Sequence, residues 1–345
     1  MRHEQREDGT RKVGVSMIID CHNHILSAGA YPWFEKFIKE MTLGYFRSMG
    51  KLPCDRMPVE SDWAGMEYLW APTGAEQFMR DHPGVDKAVI LAVAPSDYTS
   101  YGIRGEIDTC GQTNVPGPPS IDKANDYIAD LVKSHPDYFI GMCAVNPKYR
   151  GVKAAVAELE RAILELKLTG LKLYPTYDHY SPDDRDLAFP IFQKAQDLGI
   201  PVMVHQASAA VIDAPLKYAR PYLLDDVGRA FPDLKLLVCH AGAPWVEECL
   251  VLAAKHPNFY IDISYYNSVL TGPETLQFLQ KCRAYGLPLE KVCWGTDYPG
   301  FEMPDSLLKK FQSVNTYAGG LGIEPISQRH MEGILGNNYL AFIKR

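Results

Sequence analysis

A parallel (β/α)8 barrel, the TIM-barrel architecture, is the fold class this sequence predicts, and three observations predict it. Short unbroken runs of Val, Ile and Leu recur along the chain, and unbroken runs suit parallel strands covered on both faces. Most of these runs are followed by a helical segment, and a repeated strand-then-helix order implies parallel pairing through right-handed crossovers. About eight such units fit between Met17 and the end of the chain, which favours one barrel domain over an open doubly wound sheet.

Residues 1–16 are polar and charged, lack an apolar segment, and read as a flexible leader rather than a secretory signal. The single barrel domain is expected to cover 17–345, with a first strand at 17–21 running into DCHNH (20–24). The stretch 26–72 is dense in aromatic residues, among them Tyr31, Trp33, Phe34, Trp63 and Trp70, with a helix expected near 34–48. An excursion this long after a first strand suits a lid or a subunit contact, plain packing onto the barrel wall being the alternative. KAVILAV (87–93) is the second strand, and a Gly/Pro-rich loop over 96–120 carries Arg104. A helix at 121–134 precedes the third strand, YFIGMCAVN (138–146). GVKAAVAELERAILELK (151–167) is amphipathic, with apolar residues at 152, 156, 159, 163 and 166. GLKLYP (170–175) is the fourth strand, and the helix over 186–198 stops at Gly199. The alternation continues through IPVMVHQ (200–206), a helix at 221–231, LKLLVCHAG (234–242), and a helix at 244–255. NFYIDIS (258–264), a helix at 273–285 and KVCWGTDYP (291–299) follow, and helices around 304–318 and 327–342 close the chain.

Composition removes several function classes. A formal charge of −7 over 345 residues gives no basic stripe for nucleic acid, and no run approaches the length of a membrane span. No Gly-x-Gly-x-x-Gly follows the first strand and no phosphate-loop motif occurs, so a nucleotide-binding fold lacks support. Eight cysteines, none in a CxxC pair and several inside apolar runs, suit reduced core residues of a cytoplasmic protein.

In a parallel barrel the chemistry sits at the carboxyl ends of the strands. Reading those ends gives His22 and His24 after the first strand, Lys172 near the end of the fourth, His205 on the fifth, His240 on the sixth and Asp297 on the eighth. A single strand-end histidine is most simply a satisfied core residue. Four histidines and an aspartate at one rim instead form a nitrogen and oxygen donor set of the kind that holds Zn²⁺, Mn²⁺ or Fe²⁺.

The motifs DCHNH (20–24), VMVHQ (202–206), VCHAG (238–242) and WGTDYP (294–299), in that order, resemble the amidohydrolase superfamily. The resemblance is to its branch containing aminocarboxymuconate-semialdehyde decarboxylase and related enzymes, and it covers about 17–345, with GILGNNYLAFI (333–343) similar to the closing helix. It implies one divalent metal ion, zinc first with Mn²⁺ or Fe²⁺ as alternatives, held by His22, His24 and His205 with Asp297 as a further ligand. It also implies that Asp297 takes a proton from bound water and that His240 polarises the substrate or shuttles a proton. In some branches a carboxylated lysine on the fourth strand bridges two metals, a role Lys172 could fill; a mononuclear site is the expectation. Lys172, Tyr174, Arg104 and Tyr298 are weaker candidates for substrate contacts, Arg104 because a guanidinium can grip a carboxylate with two parallel hydrogen bonds.

The expected function is hydrolysis of a C–O or C–N bond in a small carboxylated or cyclic molecule by metal-activated water. Its rival on the same scaffold is non-oxidative decarboxylation, with Asp297 delivering a proton to carbon, and a non-catalytic binding barrel ranks third. The expected partners are a small-molecule substrate and, from the aromatic stretch 26–72, a second copy in a homodimer, with neither nucleic acid nor membrane.

Overall fold

A computed structural model of the chain describes residues 17–25, 74–93, 121–209, 214–299 and 302–344. Within them eight strands form one parallel sheet whose spatial order follows the chain. The strands are β1 (Ile19–Asn23), β2 (Lys87–Leu91), β3 (Phe139–Ala144), β4 (Gly170–Leu173), β5 (Val202–Val204), β6 (Leu236–Val238), β7 (Phe259–Asp262) and β8 (Val292–Cys293). Neighbours pair in parallel from β1·β2 through β7·β8. Between β8 and β1 there is no regular ladder. The ring closes there through Cys21 N–H to Trp294 O (3.2 Å), Asp297 N–H to His22 O (2.9 Å) and His24 N–H to Tyr298 O (2.7 Å), with a parallel bridge between Asn23 and Tyr298. This is the expected barrel.

The helices cover its outer wall: α1 (Ala75–Asp81), α2 (Ile121–Ser134), α3 (Val152–Leu164), α4 (Phe189–Asp197), α5 (Asp225–Ala230), α6 (Val246–Lys255), α7 (Gly272–Ala284) and α8 (Pro304–Gln312). The face α3 buries, through Ala155, Leu159, Ala162 and Ile163, shares Leu159 and Ile163 with the apolar stripe read from the sequence, while Val156 and Leu166 of that stripe pack partly buried at its edge. Those residues join Leu171, Leu173, Val202 and Val204 in the core between wall and helices. A capping box between Thr271 and Glu274 starts α7, satisfying donors that the first helical turn leaves free. The barrel's own lumen is a second cluster, in which Ile19, Cys21, Leu91, Met142, Met203, Leu237, Cys239 and Cys293 meet Tyr339 and Phe342.

Tyr339 and Phe342 come from the end of the chain, where α9 (Gln328–Glu332) passes through a wide turn at Gly333–Asn337 into α10 (Asn338–Ile343). Asn338 donates to Leu289 O and Val292 O at the start of β8, and Lys235 donates to Ala341 O and Lys344 O just before β6. The closing helix therefore plugs the amino-terminal end of the barrel and leaves the carboxyl end for chemistry. Gly336 lets it dock, because a Cβ there would collide with the backbone oxygen of Met17. Gly336→Ala is expected to lower stability by about 1–3 kcal/mol, as overpacking does. Urea denaturation monitored by far-UV circular dichroism checks this; an unchanged midpoint would show that the Met17 segment yields freely.

Several elements are shorter than their sequence patterns. The run 234–242 is strand only over Leu236–Val238, and Cys239–Gly242 is a tight turn with His240 and Ala241 in the left-handed region (φ 60° and 49°). The segment 221–231 is a 3₁₀ turn, Pro221–Leu224, followed by α5. Among the described residues no helix is long and apolar enough to cross a membrane, and Cys21, Cys143, Cys239, Cys249, Cys282 and Cys293 are free and buried. The leader 1–16, the aromatic stretch 26–72 with its expected helix, and the loop carrying Arg104 lie outside the described residues.

Candidate metal centre

The seam that closes the barrel is also where histidines and aspartate converge. Strand alternation alone would put Asp20, His22 and His24 on one face. A bulge in β1 prevents this: Asp20 pairs with Ala88 and Asn23 with Ile90, so one strand spends three residues where the other spends two. Asp20 consequently faces the β8 end, its carboxylate accepting from Thr296 N–H (3.0 Å) and Thr296 Oγ1 (2.6 Å). His82, at the end of α1, is buried behind it, with Nε2 3.6 Å from Asp20 Oδ2. His22 turns into the barrel mouth.

There His22 Nε2 lies 3.4 Å and His24 Nε2 3.6 Å from Asp297 Oδ1. Two ligands bound about 2.0–2.2 Å from a tetrahedral ion stand about 3.3–3.6 Å apart, the separation of each histidine from Asp297, and one ligand atom from each of the three residues lies within 4.8 Å of the others. His205 Nε2 and His24 Nδ1 are buried and, among the described residues, have no hydrogen-bond partner, which makes His205 a candidate further donor. A buried bare nitrogen costs free energy unless something occupies it. The residues present fit a divalent ion.

The remaining polar groups orient this set. His22 Nδ1 donates to Asp262 Oδ2 (2.9 Å), the carboxylate–histidine pairing that fixes a metal-binding imidazole. His240 Nε2 lies 3.0 Å from His205 Nδ1, and His240 Nδ1 2.9 Å from Ser264 Oγ. Lys172 is fully buried, its Nζ 2.8 Å from Cys239 Sγ and 3.4 Å from His22 Nε2. Backbone in the left-handed region gathers here as well, at His240, Tyr265 (φ 53°) and Asp297 (φ 61°). Strain of this kind persists where surrounding contacts over-determine a geometry. At His240 the contact is its own N–H donating to Asp262 Oδ1 (2.8 Å).

Electrostatics divides the site into neutral bases and ionised acids. Burial lowers His22, lowers His205 well below its ordinary range and lowers His240 to about 4, in each case aided by Lys172. Burial works to raise Asp297 and Asp262, yet the facing histidines, His240 and His22 at the first and His22 at the second, hold both well below the usual carboxylate range. Near pH 7 His22, His205 and His240 are therefore neutral imidazoles and Asp262 and Asp297 anionic carboxylates, the forms that bind metal.

Of the remaining candidates, Tyr174 is buried and its hydroxyl donates to Ala92 O at the end of β2 (2.9 Å). Tyr298 packs its ring against Phe78 and His82 and donates to Asp81 Oδ2 (2.7 Å), so its side chain is spent on α1. Arg104 lies outside the described residues. Sequence reasoning missed Asp262 and Ser264, although an acid ending the apolar run NFYIDIS was a readable signal. It also gave no role to Tyr265 and none in particular to Tyr177, whose rings stand 6.0 Å from His240 and 4.9 Å from His205.

A family profile described as amidohydrolase matches residues 19–339. A 2-amino-3-carboxymuconate-6-semialdehyde decarboxylase of Dictyostelium discoideum is 27% identical over 251 residues, which span 64% of this chain and 65% of that protein. Among solved structures, 5-carboxyvanillate decarboxylase of Sphingomonas paucimobilis superposes with a TM-score of 0.62 at 18% identity, covering 95% of this chain and 98% of that one. A dihydroxybenzoic acid decarboxylase of Polaromonas, solved with manganese and 2-nitroresorcinol, superposes with a TM-score of 0.61 at 18% identity, covering 95% and 96%. The two structural likenesses concern the fold.

Proposed function

The chain belongs to the amidohydrolase family, and from that premise we propose that it is a metal-dependent, non-oxidative decarboxylase of a small hydroxylated or enolic carboxylic acid. The observation that carries the reading is the convergence of His22 Nε2 and His24 Nε2 on Asp297 Oδ1, with the buried Nε2 of His205 left without a hydrogen-bond partner among the described residues. The decarboxylase relative from Dictyostelium discoideum ranks carbon–carbon cleavage ahead of hydrolysis. Hydrolysis, the first expectation from sequence, would use the same residues and stands second.

His22, His24, His205 and Asp297 would hold one ion, with zinc the first to test and Mn²⁺ or Fe²⁺ next. When bound, that ion supplies Lewis acidity, drawing electron density from the substrate's oxygen atoms. Asp297, anionic and open to the mouth, accepts the proton of the substrate hydroxyl. As the bond to the carboxylate breaks, its electron pair stays on carbon, CO₂ leaves, and Asp297 returns the proton to that carbon. Proton and charge balance: a hydroxy-carboxylate becomes CO₂ and the oxyanion of the shortened product. His240, kept neutral and engaged by Ser264 at Nδ1 and by His205 at Nε2, acts on the reaction by holding His205 in place. Tyr177 and Tyr265 give the mouth two aromatic walls.

Turnover of a panel of hydroxybenzoates and muconate-type acids in D₂O and in H₂¹⁸O tests this. Decarboxylation is expected to release CO₂ and place one deuterium on carbon with no ¹⁸O in the organic product. ¹⁸O in the product without CO₂ would make the enzyme a hydrolase.

A further inference from the structure

Asp262 and Ser264 do not reach the mouth, yet their contacts impose an order on the histidines that do. Asp262 is an acceptor only. Its Oδ2 takes His22 Nδ1–H (2.9 Å), and its Oδ1 takes His240 N–H (2.8 Å), Ser264 N–H (3.1 Å) and the Ser264 hydroxyl. With its only hydroxyl proton committed to the carboxylate, Ser264 Oγ can serve its remaining neighbours only as an acceptor. His240 Nδ1, 2.9 Å away, is therefore a donor, as is His22 Nδ1, which lies 3.1 Å from the same oxygen.

A neutral imidazole carries one ring proton, so His240 Nε2 is then a bare lone pair. The nitrogen facing it at 3.0 Å, His205 Nδ1, must carry the proton, and His205 Nε2 is left bare. That nitrogen is buried and, among the described residues, has no hydrogen-bond partner. His22 reaches the same state in one step, since Nδ1–H on Asp262 leaves Nε2 bare, and Lys172 Nζ, a donor, stands 3.4 Å from it. Every hydrogen position in this chain follows from a single acceptor at its root.

We infer that Asp262 and Ser264 are tautomer-setting positioning residues: along two hydrogen-bond paths from one carboxylate they present bare Nε2 atoms of His22 and His205 to the metal-binding face. Asp262 acts directly on His22, and through Ser264 and His240 on His205. The inference rests on the metal reading of His22 and His205, and its root is independent of which metal or substrate is used. A metal-binding imidazole is neutral, which is the condition under which a tautomer, rather than a charge, is what the network selects.

The test is two-bond ¹H–¹⁵N correlation spectroscopy of metal-free protein labelled with ¹⁵N-histidine, where the two tautomers have distinct ring patterns. His205→Gln and His240→Gln spectra assign the signals. In the unaltered protein His22, His205 and His240 are expected in the Nδ1–H form. Ser264→Ala should leave His22 in its tautomer, because Asp262 Oδ2 still accepts from Nδ1 after the Ser264 contact is lost, and move His240 and His205 to a mixture or to the Nε2–H form, and Ser264→Thr should restore them. Chelator competition for Zn²⁺ should show about tenfold weaker binding in Ser264→Ala, the low end for partners of metal-ligating histidines, with recovery in Ser264→Thr.

Either His205 or His240 in the Nε2–H form in the unaltered protein overturns the inference, whatever the variants do. Tautomers unmoved by Ser264→Ala overturn it too. Tautomers that move as expected while Zn²⁺ affinity stays constant would instead overturn the metal role of His205 and leave the relay standing.

Discussion

Asp297→Asn is expected to lower kcat by about 10²–10⁴-fold, the range for loss of a positioned general acid–base group, in enzyme saturated with metal. The substitution isolates the proton. Asparagine keeps the size and a ligating oxygen, and it tolerates left-handed backbone better than most residues, which matters at φ 61°. Alanine at this position would confound lost chemistry with a lost ligand and a strained turn. What asparagine cannot do is accept a proton, and His240, His22 and His24 keep Asp297 in the anionic form that acceptance needs, against the effect of burial. Metal content measured beside turnover completes the experiment. A variant that keeps its ion and most of its kcat would remove Asp297 from the proton path, and the mechanism proposed above would fall with it.

The double variant His22→Ala/His24→Ala is expected to lose the metal altogether, from about one equivalent per chain, the expectation for a mononuclear site. Elemental analysis of protein purified without added metal reads the difference. Two equivalents in the unaltered protein would instead bring Lys172 into a bridging role. The single variants separate binding from folding. His24 is part-exposed and partners Asp297 at the mouth, so His24→Ala should remove metal at little cost in chelator. His22 is a buried donor to a buried carboxylate, and His22→Ala should cost about 1–3 kcal/mol more, the usual penalty for stranding such an acceptor. Urea midpoints of both variants in chelator decide this; equal midpoints would mean that Asp262 is satisfied by its other donors.

The barrel was legible because its signal is local. Each strand is a short apolar run, each run is bounded by turn residues, and the strand-then-helix order admits few topologies. The rim histidines were legible for the same reason, since they sit where such runs stop. Phase within β1 was not legible: Ile18 through Asn23 are all buried, so no alternation between apolar and polar residues marks the extra residue of the bulge. Nor were partners. Asp262 meets His22 across 240 residues, and nothing near NFYIDIS says which imidazole its carboxylate will hold. Tyr298 looks like a site residue because it adjoins Asp297, yet a strand end turns successive side chains apart, and its hydroxyl belongs to Asp81. The short strand at 236–238 also has a distant cause, because His240 gives its backbone donor to a carboxylate from the next strand.

The irregular closure between β8 and β1 makes the barrel a bracelet, and the proposed ion its clasp. Thr296 already reaches Asp20 over 276 residues, and His22 and His24 face Asp297 across the same gap. An ion shared by those three side chains would tie the two ends of the fold together, with a stabilisation that grows with free metal, about 2.7 kcal/mol at a hundredfold excess over Kd. The chain would thus read its own metal supply mechanically: starved of the ion, it loses the fastening of its ends along with its chemistry, and an unloaded enzyme becomes a loosened one.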